Sequence, residues 1–324
     1  MKIIAIVGPT ASGKSTLGVW LAQKLGGEII SADSRQVYRG LNLGTGKVTT
    51  REMGGIHHHL LDVANPLGRR TATGEAKKQF SVSDFKALAE EKLIMIYHNK
   101  KIPIVVGGTG LYVDVLLGRM TLPDVPPNPA LRAGLEKKSA EQLFAMLKKA
   151  DPARAGTIEP RHKRRLIRAL EIAKGRRKVL DKKSGPRESR EDGIARRETR
   201  GLFGKDFPAD SQILWLGLNP SEEKLKKNIH ARLLARMRAG MVAEAQKLHR
   251  TGLSYKRMRE LGLEYKFLAL YLEKKITKDE LLEQLERAIC RYAKRQKTWF
   301  KRNKDIFWIK NKSEALQKAR RFVG

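Results

Sequence analysis

The sequence is short of cysteine, of long apolar runs and of acidic residues. Its single cysteine, Cys290, excludes an internal disulfide and a cysteine-ligated zinc finger. No run approaches the length of about 20 apolar residues that a membrane-spanning helix needs, so we expect no membrane partner. Lys and Arg together number 67 against 34 for Asp and Glu, a formal net charge of +33. A surplus of this size predicts a polyanionic partner, nucleic acid first, although a solvated basic surface is the alternative.

The length of the chain and its first residues limit the domain organisation and the cellular location that we expect. A chain of 324 residues exceeds the usual size of one domain, so we expect a main domain with a second one appended or inserted. An apolar run begins at Ile3 and leaves no room for a signal peptide, which favours a cytosolic protein. We expect that protein to be a monomer.

Residues 8–15 fit the phosphate-binding loop pattern G-x-x-x-x-G-K-[ST], directly after an apolar run that predicts a buried strand over 3–7. The glycines let the backbone curl so that N–H groups point inward, Lys14 supplies a cation, and the Ser15 hydroxyl can hold Mg²⁺. A helix is predicted over 16–25. This pattern predicts a phosphate site without saying which phosphate compound binds.

The next elements predict an α/β fold, a doubly wound parallel sheet of the phosphate-loop NTPase type. Strands are predicted over 28–32 and 102–106, and a helix over 83–99. Ligands of such sheets bind beyond the carboxyl ends of the strands. Those ends lead into three segments that we expect to meet in one crevice: 8–15, Asp33 and 107–109.

Four prolines between 122 and 129 end the sheet pattern, and a strand-like run over 213–218 restores it. We therefore predict a discontinuous catalytic core over 1–124 and 205–324, with a helical domain inserted over 125–204. The insertion is basic, and few apolar residues between 176 and 205 predict a mobile loop in the second half of that tract. Helices are predicted after the insertion over 221–239, 241–250, 254–273 and 278–304.

Asp33 stands at the end of the second predicted strand, in a stretch rich in groups that can hydrogen-bond or stack on a base. It could accept a proton from a bound base, help to hold Mg²⁺, or simply cap a turn. The strand over 102–106 ends in two glycines and Thr109 instead of an acidic residue, which argues against ATP hydrolysis.

Two further clusters are open to a structural or a functional interpretation. The consecutive histidines over 57–59 point in different directions, so packing or hydrogen bonding is favoured over a zinc site. The segment 287–304 mixes cations with aromatic residues. We expect its aromatic residues to pack on the sheet and its cations to face phosphates, with a solvated basic face as the alternative.

Taken in order, the motifs resemble those of the tRNA dimethylallyltransferases, also called tRNA isopentenyltransferases. The matching segments run nearly end to end and lie at 8–15, 31–39, 43–47, 58–62, 80–85, 107–112, 165–171 and 291–300. The resemblance implies that the phosphate loop holds dimethylallyl diphosphate instead of ATP. It also implies transfer of the prenyl group to N6 of the adenosine at position 37, in the anticodon stem-loop of tRNA.

The same resemblance implies roles for individual residues. Asp33 would accept the N6 proton, Thr109 would hydrogen-bond the bridging oxygen, and Lys14 would stabilise the leaving diphosphate. The residues implied in diphosphate binding are Gly8, Thr10, Ala11, Ser12, Gly13, Lys14, Ser15, Thr16 and Arg232. Mg²⁺ would be held at Ser15 or Thr16. The residues implied in tRNA binding are Ser34, Arg35, Gln36, Tyr38, Arg165, Arg168, Lys294 and Arg295.

Three other functions stay open. One is a phosphate-loop kinase of a nucleoside or small molecule, which would have no use for the large positive charge. Another is an adenylate isopentenyltransferase, which would modify free adenine nucleotides. A non-catalytic RNA-binding protein would not need Lys14, Asp33 and Thr109 together.

Overall fold

The computed structural model describes residues 1–68, 80–183 and 210–324. It divides the chain into two compact units, Met1–Met120 with Glu198–Gly324, and Thr121–Arg197. The loop predicted in the second half of 176–205 lies outside the described residues, and the helix before it continues to Lys183. None of the described helices is long and apolar enough to cross a membrane.

The elements follow one another in chain order. The first unit begins with β1 Lys2–Val7, α1 Lys14–Leu25, β2 Gly27–Ser31, α2 Thr50–Met53, β3 His58–His59, α3 Val82–His98, β4 Ile102–Gly107 and α4 Gly110–Leu116. The second unit contains α5 Pro129–Glu136, α6 Ala140–Ala150, α7 Pro152–Ala155 and α8 Lys163–Lys183. The first unit resumes with β5 Gln212–Gly217, α9 Glu222–Arg238, α10 Met241–Arg250, α11 Tyr255–Glu260, α12 Leu263–Leu272, α13 Lys278–Phe300, β6 Phe307–Trp308 and α14 Lys312–Val323.

The described strands form one parallel sheet in the order β3-β2-β4-β1-β5-β6. Strand β1 is apolar throughout its buried part because helices cover both faces of the sheet. Ile4 and Ile6 pack with residues of α1 and α14, whereas Ile3 and Ala5 pack with residues of α3 and α4. The predicted doubly wound α/β sheet is therefore confirmed.

The main differences from the predicted elements lie in the last third of the chain. The single helix predicted over 254–273 is two helices, because the backbone at Gly262 has φ +147° and breaks the helical path. Helix α13 ends at Phe300 instead of 304, and the sequence did not predict β6 or α14. Between β2 and residue 65 the chain contains the short elements α2 and β3, which the sequence analysis did not predict.

Helices α9 to α13 form a layer beside the sheet with a core of its own. Val37, Tyr38 and Leu41, which follow β2, are buried in this core together with Leu233 and Leu268. The helical layer therefore holds the segment that leaves the carboxyl end of β2, which is the segment that contains the candidate base-binding residues.

The second unit is a small helical body. Leu143, Leu147 and Leu166 are among the residues of its apolar core. The carboxylate of Glu171 is nearly buried within this unit and accepts hydrogen bonds from Arg132, Arg168 and the backbone N–H of Asn128. Burial alone would raise the pKa of Glu171, but these donors outweigh it and lower the pKa, so the carboxylate stays charged.

Candidate functional site

The phosphate loop leaves β1 at Gly8 and enters α1 at Gly13. A Cβ at Gly8 would lie 2.7 Å from the Leu218 carbonyl oxygen, and the backbone there has φ +154°. Gly13 caps α1 with φ +90° and offers no side chain to the first turn. The leading N–H groups of α1 have no intrahelical acceptor, so they and the helix dipole form a site suited to an anion.

Lys14 lies at the start of α1 with its ammonium group folded over the loop. Its Nζ donates to the Pro9 carbonyl oxygen at 3.2 Å. Burial first, and then nearby Arg232, lower the pKa of Lys14, while Asp33 opposes both effects, and the net result is a pKa of about 8. A bound phosphate would restore the missing negative charge and stabilise the ammonium.

Arg232 reaches the loop from α9. Its Nη1 donates to Thr10 Oγ1 at 3.3 Å and its Nη2 to the Gly46 carbonyl oxygen at 2.9 Å. Burial, and then Arg236, lower the pKa of Arg232. A Cβ at Gly46 would lie only 1.9 Å from Nη2, so glycine is required there for the arginine to take this position.

Asp33 and Thr109 meet where β2 and β4 end. The Ala32 N–H donates to the Val106 carbonyl oxygen at 2.9 Å, and Thr109 Oγ1 accepts from the Ser34 N–H at 3.1 Å. Burial, followed by the charge of Asp33, raises the pKa of Tyr292 to about 12, while a hydrogen bond with the Thr109 hydroxyl lowers it. A third segment, from α13, therefore borders the same place.

The Asp33 carboxylate also caps a turn. Its Oδ1 accepts from the N–H groups of Arg35, at 2.8 Å, and Gln36, at 3.3 Å. The turn-cap interpretation is thus correct in geometry. The carboxylate has a second oxygen, so this contact leaves room for a chemical role as well.

Gln296 of α13 joins the phosphate loop to the end of β4. Its Oε1 accepts from the Thr10 N–H at 2.8 Å, and its Nε2 donates to the Gly108 carbonyl oxygen at 2.8 Å. From α9, Asn228 Nδ2 donates to the Ala11 carbonyl oxygen at 3.1 Å. Our sequence analysis did not single out Gln296, although it lies within the motif at 291–300.

The loop over 41–47 is held by helices that lie some 200 residues away in sequence. The Glu244 carboxylate accepts from the N–H groups of Asn42, Leu43 and Gly44 at 3.1, 2.8 and 3.0 Å, and from the Tyr265 hydroxyl at 2.6 Å. Arg236 donates to the Leu43 and Gly44 carbonyl oxygens. The Gly46 carbonyl oxygen, at the end of this loop, accepts from both Arg232 and Gln36. No local signal in the sequence predicts the role of Glu244.

The residues expected to bind tRNA divide into engaged and exposed groups. Tyr38 is buried, with 5% of its surface exposed, and Arg35 Nη1 donates to the Glu260 carbonyl oxygen. Arg168 donates to Glu171 and to the Val125 carbonyl oxygen, so its guanidinium is already occupied within the second unit. The exposed cations of the set are Arg165, Lys294 and Arg295.

Of the three histidines, His59 is buried, and its Nε2 lies 2.6 Å from Glu28 Oε2. Burial lowers the pKa of His59. Within the described ranges, no group of three or more His, Cys, Asp or Glu side chains is arranged to hold a metal ion. His59 therefore acts as a buried hydrogen-bonding residue.

These features define a class: a phosphate-loop α/β protein whose loop, Asp33 and Thr109 meet at the carboxyl edge of a parallel sheet. Comparison with known proteins specifies the family. The model of the IPP transferase family matches residues 36–303. A tRNA dimethylallyltransferase 2 of Treponema denticola is 39% identical over 300 residues, which cover 92% of this chain and 91% of that protein. The chain belongs to the IPP transferase family.

One solved structure agrees with this assignment, and a more distant one shares the fold. The full-length tRNA isopentenylpyrophosphate transferase from Bacillus halodurans is 32% identical with a TM-score of 0.66, and the match covers 99% of this chain and 95% of that one. A eukaryotic dimethylallyltransferase acting on tRNA is 24% identical with a TM-score of 0.65, and the match covers 92% of this chain and 69% of that one. The similarity to the eukaryotic structure supports the fold only.

Proposed function

We propose that the protein transfers a dimethylallyl group from dimethylallyl diphosphate to N6 of the adenosine at position 37 of tRNA, and releases diphosphate. The observation that carries the proposal is the meeting of a phosphate loop with Asp33 and Thr109 at one edge of the sheet, in a member of the IPP transferase family. Because the acceptor is tRNA, we assign the reaction to the cytosol.

On the donor side, stabilising the leaving group is the main task. When the bond from the allylic carbon to the bridging oxygen breaks, its electron pair stays on the diphosphate and positive charge develops on carbon. The leading N–H groups of α1, Lys14 and Arg232 are placed to meet the negative charge. The Thr109 hydroxyl is suited to hydrogen-bond the bridging oxygen.

On the acceptor side, the adenine N6 attacks the allylic carbon and must lose a proton. Asp33 accepts this proton through the carboxylate oxygen that does not cap the turn. The adenine has to leave its stack to reach the crevice, and Ser34 and Gln36 border the place where it would lie. The bond that forms is N6 to carbon, and the proton on Asp33 balances the step.

Ser15 fits a magnesium ligand, because it lies half-buried in the first turn of α1, while Thr16 beside it is exposed. Mg²⁺ prefers oxygen ligands and keeps several waters, so one hydroxyl together with phosphate oxygens suffices. When bound, the ion would neutralise charge on the leaving diphosphate.

For tRNA binding we propose the exposed cations of both units, Arg165 in the inserted unit and Lys294 and Arg295 on α13. The inserted helical unit would contact the anticodon stem-loop, and the protein would work as a monomer. The large positive charge of the chain supports this assignment.

A kinase is the alternative of a different reaction type. A phosphate-loop kinase needs an acidic residue at a strand end to help to hold magnesium beside the triphosphate. Strand β4 ends at Gly107 and continues into Gly108 and Thr109, and Asp33, the acidic residue that follows β2, is assigned above to the acceptor side. The prenyl transferase accounts for all three positions better than the kinase does.

The experiment offers the protein dimethylallyl diphosphate, ATP, free AMP and unmodified tRNA in separate and combined reactions. Mass spectrometry of the digested nucleosides should find the prenyl group on adenosine from tRNA and none on AMP. Prenylated AMP would favour the adenylate isopentenyltransferase. Consumption of ATP with no prenylated product would refute the proposal.

A further inference from the structure

The first part of the phosphate loop is already satisfied by protein groups before any substrate binds. The Thr10 N–H donates to Gln296 Oε1, and the Thr10 hydroxyl accepts from Arg232. At the other end of the loop, the leading N–H groups of α1 lack intrahelical acceptors. The N–H groups at the α1 end of the loop are therefore available to an anion, whereas the Thr10 N–H near the β1 end already has an acceptor.

The position of Gln296 is closely fixed. Only 5% of its surface is exposed, and its amide spans 2.8 Å to the loop and 2.8 Å to the end of β4. A Cβ at Gly108 would lie 2.4 Å from Gln296 Nε2, so this glycine is what admits the amide. The side chain therefore fills the space between the two backbone segments.

In nucleotide-binding loops of this pattern, successive backbone N–H groups along the loop cradle a row of linked phosphates. Each added phosphate needs further donors. A row that begins at the N-terminus of α1 and continues along the loop would reach Thr10, whose N–H is occupied. It would also approach the negative charge of Asp33, which lies close enough to act on Lys14.

We propose that Gln296 is a specificity-determining residue that limits this loop to two linked phosphates. The inference rests on the proposed function, since it concerns how the same loop distinguishes a prenyl diphosphate from a nucleoside triphosphate. By accepting from Thr10, the Gln296 amide withholds the donor that a third phosphate would need.

The test measures inhibition by inorganic diphosphate and by inorganic triphosphate, both in competition with dimethylallyl diphosphate. Wild-type protein should bind diphosphate more tightly by about tenfold or more, the effect of one charge-assisted hydrogen bond. In Gln296→Ala and in Gln296→Met, which keeps the length of the side chain, the Thr10 N–H is released. The preference for diphosphate should then fall about fivefold or more.

The control is Asn303→Ala, which removes a comparably buried amide whose oxygen accepts from the Asp305 N–H and not from the loop. This variant should keep the wild-type preference, and thermal unfolding should show which variants are folded. An unchanged preference in either folded Gln296 variant, or no preference in the wild type, would overturn the inference. Failure of inorganic diphosphate to compete with dimethylallyl diphosphate at all would instead count against the proposed function.

Discussion

The phosphate loop and the segment 33–47 border the same crevice, but they are held in different ways. The loop is shaped mainly by its own backbone, with positive φ at Gly8, Ala11 and Gly13 and the start of α1 as its end. The segment 33–47 is held by side chains of α9, α10 and α12, among them Glu244 and Arg236. A local motif thus defines the anion site, whereas helices that are distant in sequence hold the adjoining segment 33–47.

This difference has a consequence for function. Arg232 touches both regions, since it donates to Thr10 of the loop and to Gly46 of the segment 33–47. Changes at a residue remote from the phosphate, such as Glu244, should therefore reach the diphosphate through Arg232. Changes within the loop should act on the phosphate directly.

The largest effect is expected at Asp33. Asp33→Asn keeps an oxygen to accept from the N–H groups of Arg35 and Gln36, but it cannot take the N6 proton. We expect the rate of prenyl transfer to fall by about 10²–10⁴, the usual contribution of a general base. Affinity for tRNA, measured by filter binding, should stay close to that of the wild type.

Asp33→Ala separates the two roles of the carboxylate because it removes the cap as well as the base. If Asn restored most of the activity lost in Ala, Asp33 would be a structural cap and the proposed base role would fail.

The next effect tests the long-range support of the segment 33–47. Glu244→Gln weakens the acceptor of three backbone N–H groups, and Tyr265→Phe removes one donor to that carboxylate. We expect KM for dimethylallyl diphosphate to rise about tenfold in Glu244→Gln and less in Tyr265→Phe, from the loss of one or two hydrogen bonds.

Glu273→Gln is a matched control, because it breaks the ion pair with Arg259 in the same helical layer without touching the loop over 41–47. Its KM should equal that of the wild type. If Glu244→Gln lowered only the melting temperature and left KM unchanged, the two regions would be independent.

A smaller effect concerns the charge of Lys14. Its pKa is lowered to about 8, so the ammonium is present below that pH and is lost as pH rises through it. Binding of inorganic diphosphate, measured by calorimetry, should weaken above about pH 8. Lys14→Met supplies the baseline for titration of the ligand itself.

Two neighbouring charges should move this transition in opposite directions. Arg232→Gln removes a cation that lowers the pKa of Lys14, so the transition should shift to higher pH. Asp33→Asn removes an anion that raises the pKa of Lys14, so the transition should shift to lower pH. Shifts of the same sign would show that another group titrates.

The smallest effect compares two arginines of the inserted unit. Arg165 is exposed, and Arg165→Gln should reduce the slope of log affinity for tRNA against log salt by about 1. Arg168→Gln should instead lower the melting temperature, because it takes a donor from the nearly buried Glu171. Equal changes in the salt slope would place both side chains on the RNA.

Sequence predicted the parts of the site that depend on neighbouring residues. The loop over 8–15 has glycine at two of its positions with positive φ, Gly8 and Gly13, and a strand and a helix on either side. The strands could also be predicted, because both faces of the sheet are buried and the strand residues are therefore continuously apolar. The placement of Asp33 and Thr109 together followed from the rule that parallel strands end at one edge.

Other features depend on pairs of residues far apart in the chain. The amide of Gln296 and the carboxylate of Glu244 are ordinary helix residues in sequence, and only packing of α13 and α10 brings them to Thr10 and to the loop over 41–47. The broken helix at Gly262 and the burial of Tyr38 also depend on tertiary packing. By itself the sequence determined the phosphate loop and the sheet, because backbone conformation and burial leave local patterns. The tertiary structure alone decided which side chains hold the loop and the segment 33–47 in place, because a hydrogen bond across some 200 residues leaves no local pattern.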